Sequence, residues 1–248
     1  MTGELHLKYW LRKLRGPLPV LELPGDRSRS AVHLYCGAEH TFPLDRHLSQ
    51  RLKELGHAEG VTLAVLLLAG FKALLHRYTG QEDLVVGTSK TDLSGLGYGR
   101  SVDGTRLALR TDVSGDPVFR DFLHQVWQVA LEACKHGDIS FEKLVEELDH
   151  TRDHMSLVQV AFALGDGLVA VEESAAIDAE SVAGKGEAGC DLVLYVHPRA
   201  DVLECTLRYN ANLFDAATIA RWGQHFVNLL AGVVADPAQR LSALPLMG

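Results

Sequence analysis

The chain has 248 residues, 47% of them hydrophobic and 23% charged, with a formal net charge of -8. That length is enough to bury a substantial core, while the acidic balance excludes general nucleic-acid affinity, which needs a basic face to neutralise phosphates. Cys36, Cys134, Cys190 and Cys205 are scattered with no CxxC pair, so neither a zinc site nor a redox couple is expected.

Met1-Thr-Gly-Glu-Leu5 lacks the basic start and apolar run of a signal peptide. The most apolar stretch, residues 61–71, is too short to cross a bilayer and ends at Lys72. A cytoplasmic, reduced protein with no membrane partner is the economical expectation. The first predicted element is a helix over residues 4–15, with Lys8, Arg12 and Arg15 at i, i+4 and i+7 on one face. Gly16, Pro17 and Pro19 stop it, and the chain to Pro24 should be extended. Residues 31–36 read as a strand, and residues 45–55 as a helix with Leu44, Leu48, Leu52 and Leu55 on one side.

The strongest helix signal covers residues 62–78. Leu63, Leu66, Leu67, Phe71, Leu74, Leu75 and Tyr78 form an apolar stripe, and Ala64, Val65 and Leu68 make its first half apolar all round, as in a helix buried between layers. Residues 84–88 and 106–111 read as strands. Asp116-Pro117 should open the next helix with a carboxylate cap and a proline at the first helical position. Its core face would be Phe119, Phe122, Leu123, Val126, Ala130 and Leu131. Ser140 should cap a short helix to Leu148. Residues 157–164, 192–196 and 205–209 read as strands, and Asp215 starts a last helix carrying Ile219, Trp222, Phe226, Leu230 and Val233. Residues 165–189, rich in Gly, Ala, Ser and Glu, show little periodicity and are expected to form a loop or irregular excursion. Helices mixed with strands in this order imply an α/β two-layer sandwich, with helices packed on a mixed, largely antiparallel sheet.

Few residues carry a pattern suited to chemistry. His136 and Asp138 could pair as base and orienter, although a turn whose Asp138 and Ser140 accept backbone N–H groups is the favoured reading. His150 and His154, at i, i+4 beside Asp149 and Asp153, could present two metal ligands, but the polar segment reads as a solvated loop. Gly95-Leu-Gly-Tyr-Gly99 has Arg100 where a phosphate loop needs its third glycine, and no helix starts there. Gly184-Lys185 has Ala179 where a Walker loop needs glycine. No GxSxG elbow occurs. No catalytic residue, cofactor site or metal site is therefore expected.

His136-Gly-Asp-Ile-Ser-Phe-Glu-Lys-Leu-Val145 resembles the HQDxPFExLV motif of the condensation domains of nonribosomal peptide synthetases. Tyr9-Trp-Leu-Arg-Lys-Leu14, residues 19–24 with Asp26 and Arg27, residues 60–88, and residues 207–219 on to Asp236-Pro237 and Leu241-Ser242 resemble the second lobe of such a domain in order. The resemblance spans nearly the whole chain and implies a chloramphenicol-acetyltransferase-like half-domain. Residues 1–30 would be an N-terminal helix with a Pro-rich interlobe linker, and residues 31–248 the lobe itself.

The family's catalytic HHxxxDG motif belongs to the other lobe, and no His-His pair occurs in this chain. Segments that approach the interlobe groove in the family depart from its pattern: Asp103-Gly-Thr-Arg106 stands for Phe-Val-Asn-Thr, and His154-Met-Ser156 shortens Ser-Arg-x-Pro. The resemblance thus implies a truncated, non-catalytic condensation domain, acting as a structural or docking element beside adenylation and carrier domains. A methionine just ahead of the interlobe helix suggests a native start that leads, after residues 244–246, into an adenylation domain. One alternative is half of a split transferase completed by a separate HHxxxDG-bearing lobe. Another is a platform that recruits a carrier protein or tailoring enzyme through the Lys8, Arg12 and Arg15 face. Losing a lobe would bare an apolar surface, so either polar replacement or a covering partner, including a homodimer, is expected.

Overall fold

A computed structural model describes residues 2–28, 35–90, 92–93, 106–139, 141–148, 158–165 and 190–247. In chain order the elements are α1 (Thr2–Lys13), β1 (Gly37–Leu44), α2 (Arg46–Ala58), α3 (Leu63–Thr79), β2 (Asp83–Ser89) and β3 (Arg106–Asp112). They are followed by α4 (Phe119–Lys135), α5 (Phe141–Leu148), β4 (Val160–Leu164), β5 (Leu192–Arg199), β6 (Val202–Asn210) and α6 (Ala216–Ala235). The six strands form one sheet in the order β1-β6-β5-β4-β2-β3. The pairs β1–β6, β5–β6 and β2–β3 are antiparallel, while β4 runs parallel to both β2 and β5. Helices α2, α3, α4 and α6 pack on one face, which gives the two-layer α/β sandwich with a mixed, largely antiparallel sheet.

Helix α3 is the keel of the core. Every residue from Ala64 to Leu75 is buried, as its all-round apolar character requires. Thr62 caps its N-terminus by accepting from the Val65 amide, and Gly80, at φ +67°, closes the C-terminus with its N–H on the His76 carbonyl. Helix α2 starts on the Asp45 carboxylate, which accepts from the Leu48 amide at 2.7 Å. Buried Ser49 then stitches it to the sheet, donating to the Leu44 carbonyl and accepting from the Leu203 amide, both at 3.0 Å. In α6, Ile219, Trp222, Phe226, Leu230 and Val233 are all buried, each contributing about 1.5–3 kcal/mol of apolar burial. No single helix among the described residues is long and apolar enough to cross a membrane.

Three expectations need correction. The first described strand is Gly37–Leu44, after the residues expected to form it, of which 31–34 lie outside the described residues. Its helix-facing set, Ala38, His40, Phe42 and Leu44, alternates with Gly37, Glu39, Thr41 and Pro43, and the polar members masked the period-2 signal.

Asp116-Pro117 does not open α4. Asp116 has φ +49°, Val118 bridges to Arg240, and the helix begins at Phe119 without a side-chain cap. Its first amides, Phe119 N and Arg120 N, donate to the Gln239 and Pro237 carbonyls, so the C-terminal segment satisfies the orphan donors that a cap would otherwise serve. Asp116 instead accepts from the Ser242 amide and hydroxyl at 2.9 and 2.7 Å. The third correction concerns strand bounds: β4 starts at Val160, β5 runs on to Arg199 and β6 begins at Val202. The expected loop over residues 165–189 lies, apart from Gly165, outside the described residues.

Candidate functional site

Helix α1 has two distinct faces. Tyr9, Trp10 and Leu14 are buried and join the main core, whereas Lys8, Arg12 and Arg15 are exposed. Lys8 pairs with Glu4 at 2.8 Å, with both side chains about 70% exposed. An i,i+4 pair that open contributes only about 0.3–0.5 kcal/mol. Arg12 and Arg15 have no ion-pair partner among the described residues, and exposed Leu5 lies on the same strip. The Arg15 carbonyl accepts from Arg110, whose guanidinium also grips the Asp83 carboxylate through both Nε and Nη2. Lys8 and Arg12 are one turn apart on α1, while Arg15, also exposed, follows two residues past the end of the helix.

The inward side of α1 closes on the turn after α4. The Tyr9 ring stacks on the His136 imidazole, with centroids 4.1 Å apart and planes 9° from parallel. The Trp10 indole N–H donates to the His136 carbonyl at 2.9 Å. Nδ1 of His6 lies 3.1 Å from Nδ1 of His136, and Lys13 meets the Glu132 carboxylate at 2.7 Å. Burial raises the Tyr9 phenol pKa above its ordinary value, with the Glu132 charge and hydrogen bond adding to it. The Lys13 hydrogen bond holds the Glu132 carboxyl below its usual value. Desolvation, then the field of His6, lowers the His136 pKa.

The proposed His136/Asp138 dyad does not assemble. The His136 ring is engaged by His6 and Tyr9, while Asp138 pairs with Lys90 at 2.9 Å, a hydrogen bond that lowers the Asp138 pKa. Asp138 therefore anchors the turn to Lys90 at the end of β2, while Ser140, its expected partner in the turn before α5, lies outside the described residues. His150, His154, Gly95, Gly97, Gly99, Asp103, Gly184 and Lys185 lie outside them as well. Among the described residues, no group of three or more His, Cys, Asp or Glu could hold a metal ion. Two of the cysteines are deep and inert: burial pushes the Cys134 thiol up to about 11 and the Cys205 thiol up to about 12. Sequence reasoning missed His6, whose role exists only through a partner 130 positions away.

The condensation-domain family model matches residues 2–248. One of the linear gramicidin synthase proteins of Brevibacillus parabrevis is 40% identical over all of this chain, which spans 5% of that protein. Phosphinothricin tripeptide synthetase PhsC of Streptomyces viridochromogenes is 36% identical over 99% of the chain, which spans 23% of it. Among solved structures, the X-domain in its complex with OxyB from teicoplanin biosynthesis superposes with a TM-score of 0.80 at 28% identity, covering 100% of this chain and 56% of that one. A four-domain nonribosomal peptide synthetase bound to AMP and glycine gives 0.80 at 24% identity, covering 98% of this chain and 20% of that one.

Proposed function

The chain belongs to the condensation-domain family, and from that premise we propose that these 248 residues are a non-catalytic half of such a domain. In this reading they serve in the cytoplasm as a structural or docking element beside the adenylation and carrier domains of a peptide synthetase. The observation that carries the proposal is the missing histidine pair: no two histidines adjoin anywhere in the sequence. The histidine in the best-matched motif, His136, is occupied by His6, Tyr9 and Trp10. A general base must reach the proton it removes, and a ring stacked against Tyr9 and hydrogen-bonded to His6 is committed to packing.

The docking role draws on the α1 face. Lys8, Arg12 and Arg15 give a local positive field on a chain of net charge -8, which steers an acidic partner such as a carrier protein. The likeness to an X-domain that forms a complex with OxyB supports recruitment as a use for this fold. Two assays test the reading. Incubated with aminoacyl-loaded donor and acceptor carriers, the chain alone should release no dipeptidyl product above background. Turnover by the chain alone would overturn the non-catalytic reading, and turnover only after adding an HHxxxDG-bearing fragment would replace it with a split transferase. Arg12→Glu with Arg15→Glu should weaken carrier binding at least roughly ten-fold at low salt; unchanged affinity would reject the docking face.

A further inference from the structure

The contact between His6 and His136 joins two imidazoles through the same ring atom, Nδ1 to Nδ1, at 3.1 Å. A neutral imidazole has one N–H and one acceptor nitrogen, so one ring donates to the other across this contact. The rings belong to α1 and to the C-terminal end of α4, and their centroids are 5.2 Å apart. We propose that the pair is a two-step proton latch on α1, in which a first proton tightens the helix against the body and a second releases it.

The order of events follows from which nitrogens are free. A first added proton binds Nε2 of the donating ring. The Nδ1 contact then persists as a charge-assisted hydrogen bond, stronger than the neutral one. A second proton must take the accepting Nδ1 lone pair. The bond is then lost and two cationic rings face each other. The latch takes His136 as the accepting ring, the one whose charging is opposed first by burial and then by the fields of His6, Arg12 and Lys135.

The groups around the pair set the balance. On α1 these are Tyr9, Arg12 and Lys13; Glu132 and Lys135 lie on α4; Asp138, paired with Lys90, lies in the turn. On α5, which packs against α1, Lys143 and Glu146 are exposed, as is Glu147. Glu132 favours protonation of His136, while Arg12 and Lys135 oppose it. Once the latch opens, the Tyr9 stack and the Trp10 bond to the His136 carbonyl lose their alignment. The basic face of α1 then leaves its fixed position.

Trp10 supplies a local reporter, since its indole N–H touches the turn directly. The experiment is a pH titration by 1H–15N NMR in the presence of a chelator, with the Trp10 indole signal assigned through Trp10→Phe and α1 amide protection followed by hydrogen exchange corrected for intrinsic rate. The wild-type indole signal should show two titration steps. Protection of α1 should fall about ten-fold across the lower step, the equivalent of a one-unit difference in the proton affinity of the accepting ring between the latched and released states. In His6→Asn, which keeps a donor but cannot take a proton, a single step from His136 should remain and the loss of protection should vanish, because no second cationic ring faces it and the amide can turn its oxygen to the charged ring. A single step in the wild type, or the same loss of α1 protection in His6→Asn, would overturn the latch.

Discussion

Lys72 shows how much a single residue can hide. In the sequence it marks the end of an apolar run, yet the structure buries it completely at the centre of α3. Its ammonium donates to the Leu109 carbonyl at 2.7 Å and to the Thr111 hydroxyl at 2.8 Å. These acceptors lie on β3, and that contact is tertiary, so no local pattern announces it. Neither acceptor carries a charge, and desolvation lowers the Lys72 pKa to about 7, opposed only by the field of Asp83. The unfolded lysine keeps its proton until about pH 10.4. Between the two values the unfolded state therefore binds more protons than the native one, and stability rises with pH across that window. Below about pH 7 both states are protonated and the slope disappears. The Lys72→Met variant should lack this contribution. Urea denaturation of the two proteins from about pH 7 to 9.5 should show the wild type gaining on the variant by up to roughly 1.4 kcal/mol per pH unit. The difference isolates Lys72 from the buried Cys134 and Cys205 thiols, which both proteins share; parallel pH curves would show that the buried amine keeps an ordinary affinity for its proton.

At the level of elements, the long helices were legible because 3.6-residue periodicity survives over four or five turns. The boundaries that failed were those set by partners distant in sequence. Helix α4 starts where Gln239 and Pro237 offer carbonyls, and β1 was passed over because its outward residues, Glu39, Thr41 and Pro43, broke the apolar pattern. Spacing alone put Lys8 and Arg12 on one side of α1, although the helix ends at Lys13, short of Arg15; the ring contact between His6 and His136 was not readable. The C-terminal segment is likewise strapped down by contacts that sequence cannot show: Arg77 donates to the Leu241 and Leu244 carbonyls, and Asn228 donates to the Leu246 carbonyl. Gly232 in α6 permits this approach, because a Cβ there would stand 2.4 Å from Pro245 Cδ and 2.8 Å from its Cγ. Gly232→Ala gains about 0.5–1 kcal/mol of helix propensity but forces overpacking that costs roughly 1–3 kcal/mol. The expected result is a lower Tm, with faster proteolysis after Leu241. Pro245→Ala removes both clashing ring atoms and should recover most of the loss in the double variant, a positive coupling that a double-mutant cycle would quantify. Additive effects would mean that the strap does not rest on Gly232.

For the molecule as a whole, the sheet face turned away from the helices decides how this chain behaves in solution. Strand register places Glu39 opposite Arg208, Thr41 opposite Thr206 and Pro43 opposite Glu204 on that face. Glu39 and Arg208 pair at 2.8 Å, and the two threonine hydroxyls hydrogen-bond at 2.9 Å. Arg199 lies 3.5 Å from Glu204, and the Arg208 guanidinium sits 5.2 Å from the centre of the Tyr195 ring. Cross-strand pairs of this kind suit a solvated surface over β1 and β6, whereas Ala163, Val193 and Tyr195, with Cys190, form a separate buried apolar cluster on the same face over β4 and β5. Covering the polar pairs with a second copy would strip water from several charges at once, a cost that often exceeds the Coulombic return. The large exposed hydrophobic side chains among the described residues are Leu5, Val20 and Met247, too few to form the contiguous apolar patch that drives association. The polar pairs over β1 and β6 thus offer a second copy little to bind. Sedimentation velocity should therefore give a monomer whose coefficient is independent of protein concentration and of salt. A concentration-dependent dimer that Arg208→Glu dissociates would show instead that this polar face is an interface. A dimer insensitive to that reversal would place the association elsewhere and leave the face free, as its ion pairs require.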